Sequence, residues 1–227
     1  MRRSIILAVL VIGLVAARPA TGSLARLTAA GSIGGTSLTA GSWVLYLHNA
    51  PTPPTAATKA QFGLSLSTTA STQATLQNYD TDCDSVAGRE ILRGTALATE
   101  TGLCKYASWR TSTYAAARPI KGVVTLRTWC RKTGSGGTNP SLTAYLRDYD
   151  PTTTTYVELG AASGAVVTNS GSAFAQLALT WTLATSVPAG HQLELKLVAG
   201  GGTLDANLAY DTTGQLSRLV LLQQPAT

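Results

Sequence analysis

Hydrophobic and polar residues alternate with period two along much of this chain. Leu193, Leu195 and Leu197 fall on one side of a segment and Gln192, Glu194 and Lys196 on the other, which is the pattern of an amphipathic β-strand. Val124, Leu126, Thr128 and Cys130 oppose Thr125, Arg127, Trp129 and Arg131; Leu142, Ala144 and Leu146 oppose Thr143, Tyr145 and Arg147. Ala175, Leu177, Leu179 and Trp181 likewise oppose Gln176, Ala178 and Thr180. Earlier, Trp43, Leu45 and Leu47 alternate with Val44, Tyr46 and His48, and Pro51, Pro53 and Pro54 then forbid continuation of that strand. Turn signals separate these segments: Gly134-Ser135-Gly136-Gly137, Asp150-Pro151, Val187-Pro188-Ala189-Gly190 and Gly200-Gly201-Gly202. No run from Trp43 onward keeps a helical period with caps. Roughly ten short strands without βαβ alternation predict an all-β fold, a two-sheet antiparallel sandwich of the jelly-roll type. An immunoglobulin-like Greek key is the alternative, although its Cys–Trp–Cys marker is missing. Trp43 and Trp181 share faces with leucines and are expected in the core.

The first residues read differently. Arg2 and Arg3 precede an apolar stretch from Ile5 to Ala17, followed by Arg18, Pro19 and small residues, the order of a secretory signal helix. The run is shorter than the ~20 apolar residues of a spanning helix, so membrane contact is expected only through this segment. Cleavage after Ala17 and after Gly22 both fit. The expected organisation is a signal segment over 1–22, a Gly-, Ser- and Thr-rich arm or first strand over 23–42, and one β-sandwich domain over 43–227, in a secreted or cell-surface protein.

Composition narrows the picture further. Of 227 residues, 44% are hydrophobic and only 12% charged, which excludes a coiled coil and a charge-rich disordered chain. The net charge of +6 falls to +3 once Arg2, Arg3 and Arg18 are set aside, and with no dense basic stripe nucleic acid is not an expected partner. Three cysteines in an exported chain are expected to form one disulfide. Cys83 and Cys104 lie in turn-rich sequence while Cys130 continues a strand, so Cys83–Cys104 is preferred among the three possible pairs, with three reduced thiols as the alternative.

Asp80, Asp82 and Asp84 place three carboxylates at alternate positions, a set that could curl around a structural Ca²⁺; a solvated acidic turn is the alternative. Ser85 and Ile91 stand where an EF-hand needs Gly and Glu, so the loop is not an EF-hand. Asp148 and Asp150 read as turn formers before Pro151. Trp129 with Arg127, and Tyr145 with Arg147, fall on the polar sides of their strands and could form a ligand-binding patch for glycan. Catalysis has little support: no Gly-x-Ser-x-Gly elbow occurs, and Glu90, Glu100, Glu158 and Glu194 show no paired spacing. A secreted hydrolase would require His48 or His191 to converge with a carboxylate in a cleft, which nothing local announces.

Three stretches, Tyr46-Leu47-His48-Asn49 with Pro51-Thr52-Pro53-Pro54, Asn78-Tyr79-Asp80-Thr81-Asp82, and Tyr210-Asp211 with Ser217-Arg218-Leu219, resemble those of uncharacterised exported bacterial surface proteins. Cys83 departs from the basic residue expected after Asp-Thr-Asp. The resemblance implies a secreted jelly-roll-like domain, similar in layout to carbohydrate-binding modules, and no activity. The expected function is therefore a non-catalytic structural or adhesive surface protein, not an enzyme. It would be the self-assembling subunit of a filament or sheath, with the 23–42 arm added to a neighbour's sheet edge. A glycan-binding module is the alternative.

Overall fold

The computed structural model describes residues 30–33, 36–39, 41–49, 63–84 and 86–223. The expected signal helix over 1–22 lies outside these residues. Of the expected arm, β1 (Ala30–Ile33) and β2 (Thr36–Thr39) pair antiparallel as a separate two-stranded sheet.

All other described elements are strands: β3 (Gly41–His48), β4 (Leu64–Ser67), β5 (Arg89–Ile91), β6 (Tyr106–Arg110), β7 (Arg118–Lys132), β8 (Ser141–Asp150), β9 (Thr155–Val166), β10 (Ala175–Val187), β11 (Gln192–Gly200), β12 (Ala206–Ala209) and β13 (Arg218–Gln223). The all-β expectation holds. Two separate antiparallel sheets do not: the eleven strands form one hydrogen-bonded sheet in the order β5-β12-β7-β13-β3-β4-β6-β11-β8-β9, with β10 on the other edge of β7. The reason lies in β4, which pairs antiparallel with β3 and parallel with β6 through Leu64↔Trp109 and Ser65↔Arg110. That short strand joins what would otherwise be two layers and makes the sheet mixed.

β9 and β10 meet without pairing. A Cβ on Gly160 of β9 would fall 2.5 Å from Leu183 Cδ2 and 3.5 Å from Trp181 Cδ1, both on β10. The enclosed core contains Trp109, Leu126, Leu146, Leu195 and Tyr210, all fully buried. The period-two phases of β7 and β10 match their burial, since residues directly alternating on a strand face opposite sides, whereas β8 buries Thr143 and Arg147 of its polar side as well. Trp43 and Trp181 are half-buried against the core, whereas Trp109 lies wholly inside it.

β11 departs from its expected phase. Leu193, Leu195 and Leu197 face the core, but Glu194 and Lys196 on the opposite face are buried too. The segment over 92–105 covers them. Lys196 Nζ donates to the carbonyls of Ala98 and Glu100, and Tyr145 Oη donates to Ala96 O at 2.9 Å. A disulfide joins Cys83 to Cys104, Cα to Cα 5.8 Å, and ties this segment to the 80–84 turn. Cys130 is a buried free thiol whose burial pushes its pKa up to about 12.

Candidate functional site

β3 runs Leu45 and Leu47 into the core, so His48 falls on the opposite face at the strand's end. The antiparallel partner β4 places Leu64 and Leu66 inward and therefore Ser65 and Ser67 on the face of His48. His48 stands directly across from Ser65, and Ser67 lies diagonal to it, a separation that a ring and a hydroxyl can span. Asp211 follows Tyr210 just after β12. The Tyr210 ring is clamped between Tyr79 and Trp109, with centroids 4.7 and 5.2 Å away, and its hydroxyl accepts from Arg89 Nε at 2.8 Å. This packing fixes the backbone from which the Asp211 carboxylate projects.

The result is a continuous chain of contacts. Asp211 Oδ1 lies 2.7 Å from His48 Nδ1, and Asp211 Oδ2 accepts the Asn49 backbone N–H at 2.9 Å. Ser67 Oγ lies 3.1 Å from His48 Nε2, and Thr69 O lies 2.9 Å from the same nitrogen. A carboxylate only accepts, so Nδ1 carries the hydrogen. Thr69 O also only accepts, so Nε2 donates to it when it carries a hydrogen, and accepts the Ser67 hydroxyl when it does not. Ser67 Oγ also accepts from Thr69 N–H at 3.3 Å. A cavity of about 320 Å³ opens beside this group, lined by Ser65, Ser67, Thr69, Ser71, Gln73 and the two ionisable residues His48 and Asp211 among others. Such a volume is at the small end of ligand pockets.

The sequence offers His48 alone of this group, because Asp211 is 163 positions from it and no local spacing links either of them to Ser67. His191 also meets a carboxylate, Asp148 Oδ1 at 2.9 Å from Nδ1, on the half-exposed edge of β8 and β11.

The residues expected to bind ligands are placed elsewhere. Asp80, Asp82 and Asp84 do not line up, because Cys83 N and Asp84 N both bond to Asp80 O in a tight turn. Asp80 is buried, with Oδ2 accepting Glu90 N–H at 2.7 Å, while Asp82 is exposed. Asp84 Oδ1 caps Val86 N–H at 3.0 Å, an Asx-type turn. Among the described residues, no group of three or more His, Cys, Asp and Glu side chains is arranged to hold a metal. Burial pushes the Asp80 carboxyl up to about 7 against the opposing pull of Arg89, and burial with Asp84 and Asp205 pushes Glu90 up to about 7.

The four residues of the expected glycan patch are not brought together either, since β7 and β8 are not neighbours in the sheet. Arg127 is exposed and Trp129 half-buried on β7. Arg147 on β8 is buried, ion-paired with Glu194 alongside Arg110, and donates to Ala98 O. Its burial has the same cause as that of Lys196: the 92–105 segment covers this face, and Tyr145 is tied to it.

The described strands form an all-β domain in which Asp211, His48 and Ser67 meet beside a cavity. No protein-family model matches the sequence, and no curated protein matches it. Solved structures share its fold. An α-amino acid ester hydrolase is 10% identical over 80% of this chain and 36% of its own, with a TM-score of 0.53. An aminopeptidase from a marine sediment archaeon, Thaumarchaeota archaeon, is 8% identical over 79% and 37%, with a TM-score of 0.51. A CocE/NonD family hydrolase from Staphylococcus aureus is 11% identical over 81% and 36%, with a TM-score of 0.52. The chain therefore spans little more than a third of the length of these hydrolases, and the likeness is one of fold.

These neighbours correct four expectations. The fold is shared with about a third of each of these hydrolases, and the neighbours are not the exported surface proteins of the expected resemblance. The non-catalytic structural or adhesive role, the filament or sheath subunit, and the glycan-binding alternative are set aside with it.

Proposed function

We propose that this chain is a secreted hydrolase of small esters or amides, with Ser67 as nucleophile, His48 as general base and Asp211 as the group that orients the ring. The observation that carries this reading is the run of contacts from Asp211 Oδ1 through both nitrogens of His48 to Ser67 Oγ, beside the cavity. Ser67 Oγ bonds to the substrate carbonyl carbon as its proton passes to His48 Nε2. The imidazolium donates to Asp211 on one side, and its Nε2 proton then passes to the departing alcohol or amine as the acyl bond breaks. Water repeats the sequence, returning the acid product and the free serine. Proton transfer of this kind contributes typically 10²–10⁴-fold. The cavity is rich in serine and threonine, which fits neutral substrates. Support for hydrolysis from the known structures is at the level of fold alone. Export is part of the proposal, supported by the Cys83–Cys104 bond, which suits an oxidising compartment.

A serine-directed fluorophosphonate followed by peptide mapping tests this, together with hydrolysis of p-nitrophenyl esters of increasing acyl length. The expected result is one adduct on Ser67, and a Ser67→Ala variant that folds with unchanged Tm but neither labels nor turns over. A folded chain unlabelled at Ser67, with equal turnover in Ser67→Ala, overturns it.

A second reading rests on Thr69 O, 2.9 Å from Nε2. A charged His48 donating to Asp211 and Thr69 would be a clamp holding residues 67–73 to β3. In that case His48→Gln lowers Tm sharply while Ser67→Ala is silent in every assay.

A further inference from the structure

β4, β3, β13 and β7 are neighbours in the sheet, and their register sets one residue of each side by side: Ser67 opposite Tyr46, Tyr46 opposite Arg218, and Arg218 opposite Arg127. Residues paired in this way project from the same face. The residues that flank the row along their strands, Leu66, Leu45, Leu47, Leu219 and Leu126, are all buried in the core, so the row lies on the outer face. His48 shares that face. The row leads away from Ser67, past Tyr46, to two guanidinium groups. With strands spaced by about 4.8 Å, the midpoint between β13 and β7 is about 12 Å from β4.

The two arginines form a pair without a counter-charge. They stand directly opposite one another, and like charges so placed repel. Among the described residues neither has an acidic partner, and the residues around them on this face, Thr125, Trp129, Ala178 and Val220, are uncharged. Arg218 Nε is shut off from solvent without a hydrogen-bond acceptor, and Nη1 lies 3.5 Å from the Leu216 carbonyl. Arg110, Arg131 and Arg147, by contrast, are each committed to a carboxylate or a carbonyl and to an aromatic ring.

We infer that this row sets the substrate class of the site: Arg127 and Arg218 receive a carboxylate at the far end of the acyl chain whose reacting carbonyl lies at Ser67. The inference rests on the hydrolase reading above. A guanidinium fork matches the two oxygens of a carboxylate, and an anion between two arginines removes their mutual repulsion. The cavity beside Ser67 is lined by residues of the 69–73 segment and not by Tyr46, so the departing alcohol or amine and the anionic acyl chain have separate places.

The test compares p-nitrophenyl monoesters of linear diacids of increasing length with methyl-terminated esters of the same lengths, and titrates the free diacid of the best length by calorimetry. The ratio of kcat/KM for the carboxylate ester over the methyl ester is expected to rise to a maximum at a long chain and to fall with added NaCl. Arg127→Gln and Arg218→Gln each lower that ratio about tenfold or more, through KM, and weaken diacid binding to match. Lys121→Gln, which removes an exposed charge further along the same face of β7, leaves both unchanged. Arg127→Gln is expected to keep or raise Tm, since it relieves a like-charge pair, so loss of preference there is not loss of fold. A ratio near one at every length, or a ratio unchanged in both arginine variants, overturns the inference. Failure of the hydrolase reading looks different. In that case neither kind of ester is turned over and Ser67 stays unlabelled, while the diacid still binds the wild-type chain and not Arg127→Gln, which overturns the link to Ser67 and keeps the anion pair.

Discussion

Asp211 owes its direction to an uncommon backbone: its φ of +56° lies in the left-handed region, which Asp tolerates better than most residues. From there one oxygen meets the His48 ring and the other the Asn49 N–H, so the carboxylate is held at both ends. Asparagine tolerates the same φ and keeps the shape, but its amide nitrogen must face one of two donors. Asp211→Asn is therefore expected to lower ester turnover by roughly 10⁴-fold with a small change in Tm, measured by steady-state hydrolysis beside calorimetry. Turnover within a few-fold of wild type would remove Asp211 from the mechanism. Asp80 and Glu90 make a pH prediction of opposite sign to that of most carboxylates. Both are pushed up to about 7, first by burial, so the folded chain keeps protons that the unfolded chain releases near pH 4. Stability is then greatest below pH 4 as far as these two groups act, and falls as pH rises toward 7, by on the order of a few kcal/mol. Urea unfolding at pH 5 and pH 8 reads this directly, and a more stable chain at pH 8 contradicts it.

The 92–105 segment shows how one element changes the meaning of another. The Glu100 carboxylate shapes it by accepting from Thr95 N–H, Gly102 N–H and Thr95 Oγ1, which hold its pKa down to about 2. Carbonyls along it then meet Tyr145, Arg147 and Lys196. Period two in β8 and β11 correctly separates the leucines from the polar residues, because strand geometry is local. It says nothing of what covers the polar side, which is why Tyr145 and Arg147 read as an open patch and Lys196 only as the polar side of an amphipathic strand. Burial and Arg147 together bring Lys196 down to about 8. The disulfide closes a loop with a sequence separation of 21, so its reduction is expected to lower stability by about 3 kcal/mol. Hydrogen exchange on the reduced chain is expected to speed up across 92–105 and not across β7. Equal protection in both redox states would mean that the hydrogen bonds alone hold the segment.

At the scale of the whole molecule the sheet follows a path of nine strands, β10-β7-β13-β3-β4-β6-β11-β8-β9, with β12 and β5 branching from β7. The strands with strong alternation, β3, β7, β8, β10 and β11, were legible, but short ones such as β4 and the path itself were not, because pairings such as β13 with β3 join residues far apart in sequence and depend on register. The same cause hid the candidate site: His48, Ser67 and Asp211 meet only after β4 has paired with β3 and Tyr210 has packed into the core. That site lies at the middle of the path, while the unpaired contact of β9 with β10 lies at its two ends. The distance between them gives a test of how the sheet closes. Gly160 leaves no room for a Cβ beside Leu183, so Gly160→Ala is expected to cost about 1–3 kcal/mol through overpacking. Leu183→Ala alone leaves a cavity and is destabilising as well. If the two strands are packed as a seam, the double variant is more stable than the sum of the single effects predicts, with a coupling of about 0.5 kcal/mol or more in a double-mutant cycle by urea unfolding. Strict additivity would mean that β9 and β10 do not press on one another in solution. Labelling of Ser67 should be unchanged in Gly160→Ala, since β3 is three strands from β10 along one arm of the path and β4 is four strands from β9 along the other.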